Sequence, residues 1–170
     1  MGAGSGRGVI EEHIMIKTAK DILAEKGGHL VTITSDATIH QALTVMTQNK
    51  VGAIVIVEDE KIVGIWTERE LMYRALEDGF NPKTAKLSDD MNVNLISANV
   101  NEQAYQLYDK FLGRRIRHLL IEEGGEYIGL VSVGDVMKAN LQQKNEEFAE
   151  LNQMVSLEYY ENWKGVQNER

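Results

Sequence analysis

The chain has 170 residues, 43% of them hydrophobic, one proline, no cysteine and a formal net charge of −8. That length holds one ordinary domain or two small ones with a core. The absence of cysteine excludes a disulfide scaffold and thiolate zinc sites. The acidic balance disfavours non-specific binding to nucleic acid or an anionic membrane, both of which reward a basic surface. No apolar run approaches membrane-spanning length and the first residues lack an apolar signal core. The expected location is the cytoplasm.

Residues 1–16 open with Met1-Gly2-Ala3-Gly4-Ser5-Gly6-Arg7-Gly8. A phosphate-binding glycine loop must follow a strand and open a helix, and nothing precedes this one, so it reads as a flexible leader. From there the chain repeats itself. Val51 to Val57 and Lys61 to Thr67 align without a gap on Ile116 to Glu122 and Glu126 to Ser132. Gly64 matches Gly129, a shift of 65 (129 − 64), and Glu70 matches Asp135 at the same shift. Upstream, Asp21-Ile22-Leu23 resembles Asp89-Asp90-Met91 at a shift of 68, and the extra loop Glu25 to Gly28 accounts for the difference. The expected organisation is a first copy over 17–79, a linker over 80–85 and a second copy over 86–141. Gly79 and Pro82 stop helices around the linker. A helical extension follows over 142–170.

Each copy begins with a helical turn and a short strand, Leu30 to Ile33 in one and Asn94 to Ser97 in the other. Helical spacing of Ile39, Ala42, Leu43 and Met46, and of Ala104, Leu107, Tyr108 and Phe111, predicts the next element. Asp36 and Asn101 (or Asn99) stand where N-caps belong, and Gly113 is placed to end the second helix. A hairpin of β-branched strands follows, turned at Asp59-Glu60 and at Gly124-Gly125. A second helix starts at Glu68 or Val133. A single β-α-β-β-α unit of this size covers only one face of its sheet. Two units packed sheet to sheet would bury the other face and leave clefts related by a pseudo-twofold axis. The fold class is therefore α/β (α+β), with a long C-terminal amphipathic helix.

The repeated unit, closed by Gly64-Ile65-Trp66-Thr67-Glu68-Arg69-Glu70 and by Gly129-Leu130-Val131-Ser132-Val133-Gly134-Asp135, resembles the CBS domain family; two copies in register resemble the tandem pair called a Bateman module. The resemblance covers roughly residues 17–141. It implies binding of an adenosine-containing ligand, AMP, ADP, ATP or S-adenosylmethionine, in the clefts. It also implies regulation of a partner protein, and dimerisation. No obligatory cofactor is expected, and no metal.

The motif has chemistry of its own. A strand-to-helix junction presents free N–H groups and the positive end of a helix dipole, which suit phosphate. A hydroxyl at the junction can donate to phosphate, and a carboxylate one turn on can accept both ribose hydroxyls. The strand glycine, Gly129 beside Val131 in the second copy, permits close approach of a backbone. The same spacing is also a capping box that only closes a helix. For Thr67 and Glu70 capping is the favoured reading, because the extra methylene of Glu70 departs from the aspartate usual in the family. For Ser132 and Asp135 ligand binding is favoured, because aspartate reaches back less well and Gly134 suggests that space is being made.

Arg114-Arg115-Ile116-Arg117-His118 is the densest basic cluster in the acidic chain. Family resemblance sends it to the ligand's phosphates, and alternation along an extended stretch puts Arg115 and Arg117 on one face with His118 opposite. Trp66 could stack on adenine, although a strand tryptophan more often lies in a core or interface. His40 reads as solvated. Beyond Asp135, Met137, Leu141, Lys144, Phe148, Leu151 and Val155 form a heptad-like stripe, with Met154, Leu157, Tyr159, Tyr160 and Trp163 adding apolar surface. Glu146, Glu147 and Glu150 oppose a membrane role for it. The leading expectation is a nucleotide-sensing regulatory module in a homodimer, with one ligand per chain held mainly by the second copy. The alternative is a ligand-free dimerising scaffold that engages a partner protein through its C-terminal helix. No nucleophile–base pair or acid–base pair supports an enzyme.

Overall fold

In a computed structural model of the chain, residues 17–27 and 30–167 are described, with side chains as far as 153. The leader, Gly28, His29, residues 168–170 and the apolar tail side chains from Met154 onward fall outside that description.

The first copy runs through α1 (Ala19–Lys26), β1 (Thr32–Thr34), α2 (Ile39–Asn49), β2 (Ala53–Glu58), β3 (Lys61–Thr67) and α3 (Glu68–Arg74). A 3-10 turn (Leu87–Asp89) then leads into β4 (Ser97–Asn99), α4 (Ala104–Arg114), β5 (His118–Glu123), β6 (Glu126–Ser132) and α5 (Val133–Gln167). Each copy forms a three-stranded sheet, β1-β2-β3 and β4-β5-β6, in which the first pair is parallel and the hairpin antiparallel. Asp59 and Glu60, like Gly124 and Gly125, all take positive φ. Both central positions of a primed turn require this, and its twist matches that of the strands.

Several boundaries differ from the sequence reading. The leading strands start later, at Thr32 and Ser97. Thr38, not Asp36, caps α2, in a reciprocal capping box with Gln41. Gln103, not Asn99 or Asn101, caps α4, paired with Gln106. In each case the box needs a partner three residues on, and the asparagines and Asp36 are spent in tight turns instead: Asn99 Oδ1 accepts from Asn101 N, and Asp36 Oδ1 from Thr34 Oγ1. Gly113 lies inside α4, which ends at Arg115 in the left-handed region (φ 52), as α2 ends at Lys50 (φ 54). The C-cap N–H still reaches the last carbonyls without a glycine.

The two copies exchange their first turns. Ala19 and Ile22 of α1 are buried in the second copy's core with Ala98, Leu107, Phe111, Leu119, Ile121 and Val136. Leu87 is fully buried in the first copy's core with Ile39, Met46, Ile54, Ile56 and Trp66. The backbone repeats the exchange with twofold regularity. Ala19 N donates to Glu102 O (2.8 Å) and Leu87 N to Ala37 O (2.9 Å). Lys20 N donates to Val100 O and Ser88 N to Ser35 O. Ala104 N donates to Lys17 O and Ile39 N to Ala85 O. Every pair is related by the shifts of 68 and 65. On the opposite faces of the sheets, Val55 and Leu120 are buried yet belong to neither helix-side core. There the sheets face each other, and Ile65 and Leu120 line one cavity between the copies.

The strand glycines accommodate these exchanged turns. A Cβ on Gly64 would lie 2.6 Å from Met91 Sδ and 3.3 Å from its Cβ; one on Gly129 would lie 2.7 Å from Leu23 Cδ2. Close approach at Gly129 therefore serves the protein's own Leu23 side chain, a correction to its candidate role in ligand binding. Gly64→Ala is expected to cost about 1–3 kcal/mol in urea denaturation by overpacking. Met91→Ala in the same background should recover part of that loss, giving a coupling of opposite sign to the single costs.

Candidate functional site

A cleft between the copies collects Thr67, Arg69 and Glu70 from the end of β3 and the start of α3. Asn92, Asn94 and Ile96 come from the segment before β4, and Ile116, Arg117, His118 and Leu120 from the approach to β5. The topology dictates this meeting. Asn92 N and O exchange hydrogen bonds with Ile65 O and N (2.9 and 3.1 Å), so the second copy's entry segment lies along the free edge of β3. That contact also covers an exposed sheet edge.

Glu70 completes a capping box. Its Oε2 accepts from Thr67 N at 3.0 Å and from the Thr67 hydroxyl. Oε1 makes neither bond. Two arms cross between the copies at the rim. Arg117 Nη2 pairs with Glu68 Oε1 at 2.5 Å, and Arg69 Nη1 donates to Arg115 O at 2.9 Å. Arg117 and Glu68 are each half exposed (53%), so their pair is worth at most about 1 kcal/mol and can be broken readily. Arg115 is the αL cap of α4, not part of an extended stretch, so alternation with Arg117 does not apply. Its carbonyl, not its guanidinium, takes part in the crossing.

His118 opens β5 opposite Ser132. Burial pushes its imidazole below the ordinary histidine range, and the charges of Arg117 and Lys26 push the same way. The ring is thus held neutral at a site with cationic neighbours.

Ser132 and Asp135 do not line this cleft. They form a complete reciprocal capping box: Asp135 Oδ2 accepts from Ser132 N and Oγ, each at 2.8 Å, and Asp135 N donates to Ser132 Oγ at 3.2 Å. The shorter aspartate closes the box as well as Glu70 does, contrary to the sequence reading. Oδ2 also accepts from Lys26 Nζ at 2.9 Å. Burial raises the Asp135 pKa, but the bonds from Lys26 and Ser132 outweigh it and hold the carboxyl below its ordinary value. Packing does not require a glycine at Gly134, since a Cβ there would meet only Ser132 Oγ at an ordinary 3.6 Å.

Trp66 is fully buried on the helix side of its sheet, and its indole N–H donates to Asp90 Oδ2 at 2.8 Å. It is a core residue and does not stack in the cleft, a correction to that candidate role. Val131 is likewise fully buried, in the second core. Sequence reading missed Arg69, Asn92, Asn94 and Ile116. The alternation of Asn92 and Asn94 with Val93 and Leu95 was a signal of one polar face, but it pointed nowhere until the edge pairing with Ile65 was known.

A sequence profile of the CBS domain matches residues 12–77 and again 87–142. The chain belongs to the CBS domain family. It is 31% identical over 147 residues to the CBS domain-containing protein CBSX3, mitochondrial, of Arabidopsis thaliana, spanning 81% of this chain and 71% of that protein. The crystal structure of the CBS-domain containing protein ATU1752 from Agrobacterium tumefaciens superposes with a TM-score of 0.69 at 33% identity, covering 73% of this chain and 99% of that one. The CBS domain pair of protein MJ0100, solved in complex with 5-methylthioadenosine and S-adenosyl-L-methionine, shares the fold at 20% identity, with a TM-score of 0.65, over 75% of this chain and 98% of that one. Among the described residues, no helix is long and apolar enough to cross a membrane.

The neutral, buried His118 has a pH consequence. Its folded pKa lies below the unfolded value of about 6.5. The unfolded chain therefore binds the extra proton more readily, and stability rises with pH through that range. Urea denaturation is expected to show stability falling as pH drops from about 7 toward 5.5, with a shallower fall in His118→Gln. An identical slope in the variant would remove His118 from the account.

Proposed function

We propose that the chain is a regulatory module that takes an adenosine-containing ligand in the cleft lined by Thr67, Glu70, Arg117 and His118 and transmits its occupancy to a second copy or a partner protein. The observation that carries this reading is the composition of the cleft: one copy supplies a carboxylate with an oxygen to spare, the other an arginine and a histidine. Glu70 Oε1 accepts the ribose hydroxyls while Oε2 keeps the cap. Arg117 leaves Glu68 for phosphate, an exchange that costs little at its exposure and gains a charge-assisted bond. Arg69 adds to the same anion site, and the neutral His118 adds only a ring N–H. The phosphate rests on these side chains, because α3 has only seven residues and a weak dipole. The relative MJ0100, with its adenosine-type ligands, supports the ligand class. A ligand gripped from both copies would favour one arrangement of them over others, which is what a regulator needs.

Self-association follows from another face. Met72 on α3 and Leu76 just beyond its C-cap are exposed, and so are their repeat equivalents Met137 and Leu141 on α5, at 65% and 85%, and 51% and 62%. Phe148 and Leu151 continue the stripe along α5. Exposed apolar residues recurring at equivalent positions of both copies suit a homodimer. If the clefts take no ligand, this face supports the scaffold reading.

Calorimetry with AMP, ADP, ATP and S-adenosylmethionine tests the proposal. Arg117→Ala is expected to weaken the phosphorylated ligand about 10- to 100-fold, the cost of a charge-assisted bond, and to leave S-adenosylmethionine unaffected. Glu70→Gln should weaken every adenosine compound that binds. A parent protein that binds none of the four, yet sediments as a dimer, would overturn the sensor reading in favour of the scaffold.

A further inference from the structure

The surroundings of the two motifs should be alike by the internal symmetry, and they are not. The difference lies in the three residues by which the first copy exceeds the second between its leading turn and its first strand. The sequence places them in a loop, Glu25 to Gly28. In the structure α1 instead continues to Lys26 and closes at Gly27, whose φ of 84 permits the left-handed cap. The second copy's equivalent turn stops at Asp89 and runs on as Asn92 and Asn94.

This extra helical turn delivers Lys26 to the second copy's motif. Nζ donates to Asp135 Oδ2 and to Leu130 O, both at 2.9 Å. Leu130 is the repeat equivalent of Ile65, whose carbonyl and N–H are both taken up by Asn92. At one edge the exchanged segment thus pairs by backbone and leaves Glu70 without a cation among its bonded partners. At the other edge a lysine ammonium spans the strand carbonyl and the carboxylate. Side chains of Lys26 and Asp135 are 30% and 26% exposed, so the pair is partly desolvated. Lys17, just before the helix, is taken by Glu25 at 2.6 Å and does not compete.

We propose that Lys26 is the residue that decides which cleft takes ligand: it occupies the ribose-accepting carboxylate of the second copy and makes the chain a one-site module. The proposal rests on the adenosine-ligand reading of the motif. All three bonds to Asp135 fall on Oδ2, so the ammonium does not consume Oδ1; it bars a ribose by standing beside the carboxylate, against Leu130 O, and by neutralising its charge. A ligand entering there must first detach Lys26, leaving the partly buried Asp135 to be compensated anew. No such cost stands at Glu70. The exchanged first turn, already part of the second core, thus carries the residue that holds the second motif's carboxylate.

Calorimetric stoichiometry with AMP and ATP, on the full chain, tests this. Lys26→Ala is expected to gain one nucleotide site per chain relative to the parent, whether from one to two or from none to one. Lys26→Ala/Asp135→Asn should lose the gained site. Lys20→Ala, an exposed change on the same helix, should match the parent. No gain in Lys26→Ala, or weaker binding at the existing site, overturns the proposal. A parent that binds neither nucleotide while Lys26→Ala binds one overturns only the assignment of the first cleft. If no variant binds, both readings fall. Thermal denaturation of each variant confirms that it is folded under the titration conditions.

Discussion

Each copy keeps its first turn in the core of the other. Ile22 is buried against β5 and β6, and Leu87 against β2 and β3, with reciprocal backbone bonds on both sides. Fully burying a leucine or isoleucine is worth about 1.5–3 kcal/mol, so the two exchanged residues supply a sizeable part of the stability of a domain this small. Neither copy's core is complete without the other's chain segment. The glycines in the strands, the covered sheet edge at Ile65 and the segment lying beside each motif carboxylate follow from that constraint.

The same exchange is the source of functional asymmetry. It lays a different segment against each motif: Asn92 and Asn94 beside Thr67 and Glu70, and Lys26 beside Ser132 and Asp135. The two carboxylates cap their helices in the same way, so their chemistry is set by what the exchanged segment brings. A ligand in the open cleft would touch both copies through Glu70 and Arg117. The Arg117–Glu68 and Arg69–Arg115 crossings mark where a change of occupancy would first be felt.

The repeat, the hairpins and the long last helix were legible in the sequence, because periodicity and paired turn residues are local signals. The partners of those elements were not. Trp66 sits next to Thr67 in the chain, yet strand alternation sends it to the opposite face, onto Asp90. Capping passed from Asp36 and Asn101 to Thr38 and Gln103 because the choice depends on a side chain three residues on and on the entering turn of the other copy. Asp135 looked the better ribose acceptor by residue type alone. The lysine that holds it stands 109 residues earlier in the chain and reaches it only through the exchanged helix.

Native-state hydrogen exchange measures the interdependence of the copies directly. The amides of Val55 and Leu120 are repeat equivalents, bonded to Val31 O and Ile96 O at the centre of each sheet. If each core needs the other's first turn, both should open with the same free energy, within about 0.5 kcal/mol. Leu87→Ala, a truncation worth about 2–4 kcal/mol in the first core, should then lower both together. A Leu87→Ala protein in which Val55 loses protection while Leu120 keeps that of the parent would show that the copies are independent units, and would contradict the account.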